Sequence, residues 1–136
     1  MKQRNEVERT GYQPPVLRKK ILIVDDDPSL RDIFQIIFKN AGYETDIRDS
    51  GHTLMENDFA QPHLFLIDRK LSGMDGLDIC RHLKNQQPSK NTPVIMISAT
   101  PGIGPMAQEA GADSYIEKPF AVNCLLKVIR HYIKDE

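Results

Sequence analysis

The chain is nearly uncharged overall, poor in cysteine and without a long apolar run, and each shortage closes off a class of function. Eighteen Lys and Arg face 19 Asp and Glu, a formal net charge of −1. A nucleic-acid-binding domain carries a basic patch or stripe, so no direct nucleic-acid binding is expected. No stretch approaches the ~20 apolar residues that cross a bilayer, and the polar N-terminus lacks the apolar segment of a signal peptide. These absences argue against a membrane role and predict a cytoplasmic protein. The two cysteines, Cys80 and Cys124, each fall in a helical pattern beside apolar residues, which predicts buried free thiols and no bridge. His52, His63, His82 and His131 lack metal-ligand spacing, and Gly102 with Gly104 makes no dinucleotide fingerprint, since a third glycine is missing. His63, just before a strand-like run, reads as structural or solvated.

What is present suffices for one domain: 136 residues, 40% of them apolar. Residues 1–19 carry charges and Pro14-Pro15 but no apolar period, which predicts a flexible tail; the folded domain is expected over 20–136. Ile21-Leu22-Ile23-Val24, Leu64-Phe65-Leu66-Ile67 and Val94-Ile95-Met96-Ile97 are short continuous apolar runs, the pattern of strands buried on both faces. Tyr43–Arg48 and Ser114–Glu117 read as further strands. Asp27-Pro28 marks a helix start, with Asp as N-cap and Pro at the first helical position. Leu30, Ile33, Phe34, Ile37 and Phe38 follow at helical spacing, and Gly42 ends the helix. A short helix is expected within Thr53–Asp58, another over Asp75–Asn85 with Leu77, Ile79 or Cys80, and Leu83 inward, and a last one over Phe120–Ile133. That last helix carries two apolar stripes, of which the second, Val122, Leu126, Ile129 and Ile133, reads as extra core, with a partner surface as the alternative. Strands alternating with helices, the strands apolar on both faces, predict an α/β fold: a parallel sheet with helices on each side.

In such sheets functional groups gather at the carboxyl ends of the strands. The first strand ends in Asp25-Asp26, the third in Asp68, the fourth in Ser98 and the fifth in Glu117-Lys118-Pro119. Taken singly, these are a helix cap, a strand-to-loop residue, a strand end and a turn. Together, at successive strand ends, they make three carboxylates, a hydroxyl and an ammonium. Clustered carboxylates repel unless a cation joins them, and a hard divalent ion such as Mg²⁺ takes oxygen ligands and accepts phosphate oxygens. A carboxylate can also serve as a nucleophile, forming an aspartyl phosphate. Phosphoryl transfer asks the protein mainly for positioning and charge compensation.

The motifs Ile-Leu-Ile-Val-Asp-Asp-Asp-Pro at 21–28, Leu-Phe-Leu-Ile-Asp at 64–68, Gly-Met-Asp-Gly at 73–76, Pro-Val-Ile-Met-Ile-Ser-Ala at 93–99, Gly-Ala-Asp at 111–113 and Tyr-Ile-Glu-Lys-Pro-Phe at 115–120 resemble bacterial response-regulator receiver domains, including the chemotaxis type. The resemblance implies a flavodoxin-like, doubly wound, five-stranded parallel sheet of order 2-1-3-4-5. It implies Asp68 as phosphoacceptor and Asp25, Asp26, Asp68 and the main-chain carbonyl of Lys70 as ligands of Mg²⁺. It also implies that Ser98 and Lys118 contact the phosphoryl group, that Tyr115 changes rotamer with Ser98, and that the Lys118–Pro119 bond is cis. The implied partners are a sensor histidine kinase or a histidine phosphotransfer protein and a downstream protein. With no output region following the last helix, a stand-alone signalling module is expected, acting through protein contacts or as a phosphorelay shuttle, and not as a turnover enzyme.

The pattern has departures. Ser72 stands where the family usually has Pro, which predicts a looser loop. Lys70 and Thr100 lie two residues past Asp68 and Ser98, where they are candidates for tuning phosphate lifetime. Pro101, Gly102, Gly104 and Pro105 crowd the segment before the fifth strand. They predict a fourth helix of one or two turns within 105–110, after a mobile loop that phosphorylation would order. Two other classes compete. An aspartate-dependent phosphatase needs Asp-x-Asp, but the residues here are Asp68-Arg69-Lys70. A flavodoxin-like cofactor binder needs a phosphate-cradling loop after the first strand, where this chain has three aspartates.

Overall fold

A computed structural model of the protein describes residues 17–134. The tail expected over 1–19 therefore lies mostly outside the described residues. Five parallel strands, β1 (Lys20–Val24), β2 (Glu44–Arg48), β3 (Leu64–Asp68), β4 (Val94–Ser98) and β5 (Ser114–Glu117), form one sheet in the order β2-β1-β3-β4-β5. Helices α1 (Pro28–Asn40), α2 (His52–Met55), α3 (Gly76–Lys84), α4 (Gly104–Glu109) and α5 (Val122–Tyr132) connect them. The strand order is the one the resemblance implies, in the doubly wound, flavodoxin-like arrangement.

Side-chain alternation splits the apolar runs between two cores. Ile21 and Ile23 join Leu64, Leu66, Ile95 and Ile97 beneath Phe34, Phe38, Leu125 and Ile129 of α1 and α5. Leu22 and Val24 join Phe65, Ile67, Val94 and Met96 beneath Leu77, Cys80 and Leu83 of α3 and Ala107 of α4. Every residue of β3 and β4 is buried, which is why those strands read as unbroken apolar runs. At roughly 1.5–3 kcal/mol for each large side chain fully buried, these two layers hold the strand ends in fixed register. Register then sets Asp68 opposite Ile97 of β4 and Ser98 opposite Glu117 of β5. Lys118, one residue beyond, is drawn to the same edge.

The helix ends follow local chemistry. Asp27 caps α1 by accepting from Ser29 N, with Pro28 in the first turn. Gly42 takes φ +92° just after the helix, a left-handed conformation that glycine adopts without a Cβ penalty. Asp75 caps α3 by accepting from Leu77 N. The second helix lies earlier than expected, at His52–Met55, because Asn57 turns left-handed at φ +59° while the Asn57 and Asp58 amides bond back to Leu54 and Thr53. The fourth helix has six residues, as its prolines and glycines predict, and the preceding loop is anchored by fully buried Ile103. The second stripe of α5 is core at Ile129 and Ile133, while Val122 stays exposed. Cys80 is buried and free as expected, but Cys124 is exposed: it precedes Leu125 on the outer side of α5, and apolar sequence neighbours do not place a residue on the inner face. His63 is structural, its Nδ1 accepting from Lys20 N at 2.9 Å. No helix among the described residues is long and apolar enough to cross a membrane.

Candidate functional site

The carboxyl edge of the sheet gathers the acids that the sequence singles out. Asp25 is fully buried, Asp68 is 5% exposed, and Asp26 is half-buried beside them. One carboxylate oxygen from each of the three lies within 4.8 Å of the others. Lys118 Nζ stands 3.2 Å from Asp68 Oδ1 and 3.4 Å from Asp25 Oδ2. The Lys118–Pro119 bond is cis, as the resemblance implies. Three negative charges thus share one close ammonium. Burial, opposed by Lys118 and reinforced by Asp25 and Asp26, pushes the Asp68 carboxyl above its usual range.

Backbone contacts fix this edge. Asp25 N donates to Arg48 O on β2, Asp25 Oδ1 accepts from Asp27 N, and Arg31 Nη1 donates to Asp25 O at 2.9 Å. Arg69 N donates to Ile97 O, and Lys118 N to Ser98 O, both at 2.8 Å. Gly76 opens α3 against the loop after β3; a Cβ there would run into the Asp68 carbonyl oxygen, so the position admits glycine alone. None of these supports has a local sequence signal except the glycine, which stands directly after the capping Asp75.

The remaining candidates are placed differently. Ser98 is 2% exposed, and its hydroxyl accepts from Thr100 N at 2.9 Å. Tyr115 is 44% exposed, with its ring over Gly104. Lys70 and Thr100 are exposed and, with Arg69, Met74 and Asp75, line a cavity of about 370 Å³ beside the acids. Ser72, expected in a looser loop, is instead tied to the site: its amide and hydroxyl donate to Asp26 Oδ2 at 2.9 and 3.0 Å. A proline could make neither bond, and serine makes both.

Residues 21–130 match the model of the response regulator receiver domain. The chain belongs to that family. Among curated proteins it is similar to the DNA-binding response regulator MtrA of Mycolicibacterium smegmatis, at 35% identity over 117 residues, which covers 84% of this chain and 50% of that protein. The chain thus spans about half the length of the curated relatives it matches. Among solved structures, it is similar to the chemotaxis response regulator CheY4 of Vibrio cholerae, with TM-score 0.79, 25% identity, and coverage of 86% of this chain and all of that one. It also shares its fold with the response regulator TrrA of Thermotoga maritima, solved in complex with Mg(2+)-BeF, with TM-score 0.76, 24% identity, and coverage of 85% of this chain and 99% of that one. The protein is a receiver domain of two-component signalling, which sets aside the flavodoxin-like cofactor reading. The expectation of no direct nucleic-acid binding does not stand, because the similar proteins MtrA and RpaA are named DNA-binding regulators. Net charge near zero describes this chain, which covers about half of each of those relatives, and says nothing about how the rest of such a regulator reaches DNA.

Proposed function

We propose that Asp68 accepts a phosphoryl group from a phosphohistidine or an acyl phosphate, and that Asp25, Asp26, Asp68 and the main-chain carbonyl of Lys70 hold Mg²⁺ during the transfer. The observation that carries this reading is the buried Asp68 carboxylate at the end of β3, 3.2 Å from an ammonium and grouped with two further acids. The donor set fits a hard divalent cation: all oxygen, anionic and close, with more negative charge than Lys118 offsets. The Mg²⁺ of TrrA and of the PA1611 receiver domain from Pseudomonas aeruginosa supports the same assignment. When bound, the cation would neutralise charge on the acids and on phosphoryl oxygens.

The chain's own groups do the rest. An Asp68 oxygen attacks phosphorus, an O–P bond forms, and the bond from phosphorus to the leaving group breaks with its electron pair. Lys118, already on Asp68, is placed to follow charge onto the phosphoryl oxygens. The Ser98 hydroxyl, 2% exposed on the neighbouring strand, accepts from Thr100 N and has its own O–H to donate to a phosphoryl oxygen, and Tyr115 is free to change seat. Lys70 and Thr100, lining the adjoining cavity, would govern access of the water that hydrolyses the phosphoaspartate. The protein in this reading catalyses its own phosphorylation and dephosphorylation but turns over no other substrate. The names of the relatives support a DNA-directed output, in the same polypeptide or in a partner.

Acetyl phosphate with Mg²⁺ should add one phosphoryl group to the wild type, read by intact-protein mass spectrometry, and none to Asp68→Asn. The same mass gain in the variant would refute the assignment.

A further inference from the structure

The loop after β3 returns on itself as a two-residue antiparallel ladder, Lys70 opposite Asp75 and Leu71 opposite Met74. Ser72 and Gly73 form its tip, with Gly73 at φ +72°. Leu71 is 7% exposed and anchors the ladder to the core. The tip reaches 46 residues back along the chain, where Ser72 N and Ser72 Oγ both donate to one oxygen, Asp26 Oδ2. The loop that carries Lys70 is therefore fastened to the carboxylate of Asp26.

We infer that Ser72 is a positioning residue for cation binding: by holding Asp26 Oδ2 it orients the carboxylate to ligate through Oδ1, and it draws the Lys70 carbonyl toward the same point. The inference rests on the metal site proposed above and assigns it a residue that touches no metal. A carboxylate oxygen has two lone-pair positions. The two Ser72 donors occupy those of Oδ2, so Asp26 presents one oxygen, in one orientation. Carboxylates that ligate metals are commonly held this way, and loss of such a partner costs about 10- to 100-fold in affinity. Because the amide and the hydroxyl contribute separately, the two bonds can be removed one at a time. Alanine deletes the hydroxyl and keeps the amide, proline deletes both, and threonine keeps both.

The test is calorimetric titration of Mg²⁺ into the whole chain, with backbone amide NMR shifts as a second readout because the chain has no tryptophan. Ser72→Ala should weaken Mg²⁺ binding by about 3- to 10-fold and Ser72→Pro by up to about 100-fold, with Ser72→Thr restoring wild-type affinity. The thermal midpoint of Ser72→Ala in EDTA should match wild type, since an exposed hydroxyl contributes little to folding; should the proline variant not fold, the Ala–Thr pair carries the test. Equal or tighter Mg²⁺ binding by Ser72→Ala and Ser72→Thr alike would overturn the inference, as would weakening that tracks a fall in the midpoint. Asp26→Asn separates the two readings. If it binds Mg²⁺ as the wild type does, or if the wild type binds none, the metal site itself is wrong and the role of Ser72 falls with it; if Asp26→Asn abolishes binding while the Ser72 variants are unchanged, only the inference fails.

Discussion

Replacing Asp68 with Asn should make the metal-free protein more stable, although it removes the residue on which the proposed function depends. The perturbation deletes one charge from a crowded group and keeps the shape of the side chain. Its partners have opposite signs. Lys118 Nζ at 3.2 Å attracts the carboxylate by about 5 kcal/mol at an effective dielectric constant near 20. Asp25 and Asp26, within 4.8 Å, each repel it by about 3.5 kcal/mol or more on the same scale. Repulsion exceeds attraction by about 2 kcal/mol, and the desolvation of a carboxylate that is 5% exposed adds to it. Lys118 keeps Asp25 as a partner in the variant. For a domain of this size each kcal/mol moves the thermal midpoint by about 4 °C, so a rise of about 8 °C is expected in EDTA at pH 7.

The pH dependence supplies the sign. Burial raises the folded-state pKa of Asp68, so protonation favours the folded state. Its stabilising contribution is complete below the unfolded value of about 3.9 and is lost as pH rises through the higher folded value. The wild type should therefore close the gap to Asp68→Asn as pH falls from 7 toward 4. Urea unfolding of both proteins in EDTA across that range measures it, and saturating Mg²⁺ should narrow the gap at pH 7 by stabilising the wild type more. An Asn variant no more stable than wild type at pH 7, or a gap that ignores pH, would refute the electrostatic account of the site.

Three further outcomes are expected. Lys118→Met leaves buried Asp25 and Asp68 without their cation and should cost about 3 kcal/mol at pH 7 in EDTA, partly recovered at pH 5, as read by urea unfolding. Gly104→Ala adds a Cβ 3.1 Å from the Tyr115 ring; the ring is 44% exposed and free to leave, so its NMR resonances should shift while stability changes by less than about 1 kcal/mol. Thiol titration with a disulfide reagent at pH 8 should detect Cys124 in the native protein and Cys80 only after denaturation, because Cys80 is buried and its thiol is pushed up to about 11.

The sheet was legible because a parallel strand covered on both sides has no polar alternation to disguise it. Ile21–Val24, Leu64–Ile67 and Val94–Ile97 announce their burial in four consecutive letters. The edge strand Glu44–Arg48, with no fully buried residue, shows only weak alternation. The short fourth helix was legible through Pro101, Gly102, Gly104 and Pro105, whose backbone limits are intrinsic to the residue. The early end of α2 was not, since it depends on Asn57 turning left-handed, which asparagine tolerates without requiring. The acids and Lys118 could be assembled from sequence because strand order maps carboxyl ends onto one edge. What lay beyond reach were contacts without a local signal: Ser72 on Asp26 through the return of a loop, Arg31 of α1 on the Asp25 carbonyl, and the Arg48 carbonyl of β2 on the Asp25 amide. Each joins positions whose proximity only the folded chain decides.

The same distinction bears on how a phosphoryl group on Asp68 would be felt elsewhere. Ser98 and Lys118 are joined main chain to main chain at 2.8 Å, which ties the ends of β4 and β5 into one unit on the same side of Asp68 in the sheet. In the proposed function, movement would leave that unit by two routes. One runs from the Ser98 hydroxyl to the Thr100 amide and along residues 99–103 to buried Ile103. The other runs back along β5 to Tyr115, whose ring rests over Gly104. Both routes end at the first turn of α4, a helix of six residues. A helix that short has few internal hydrogen bonds to resist displacement, while Arg81 ties its last residue, Glu109, to α3 through an exposed and therefore weak ion pair at 2.8 Å. The element on which both routes converge is thus among the least self-sufficient in the fold, and a few kcal/mol of new charge compensation at Asp68 is of the right size to move it.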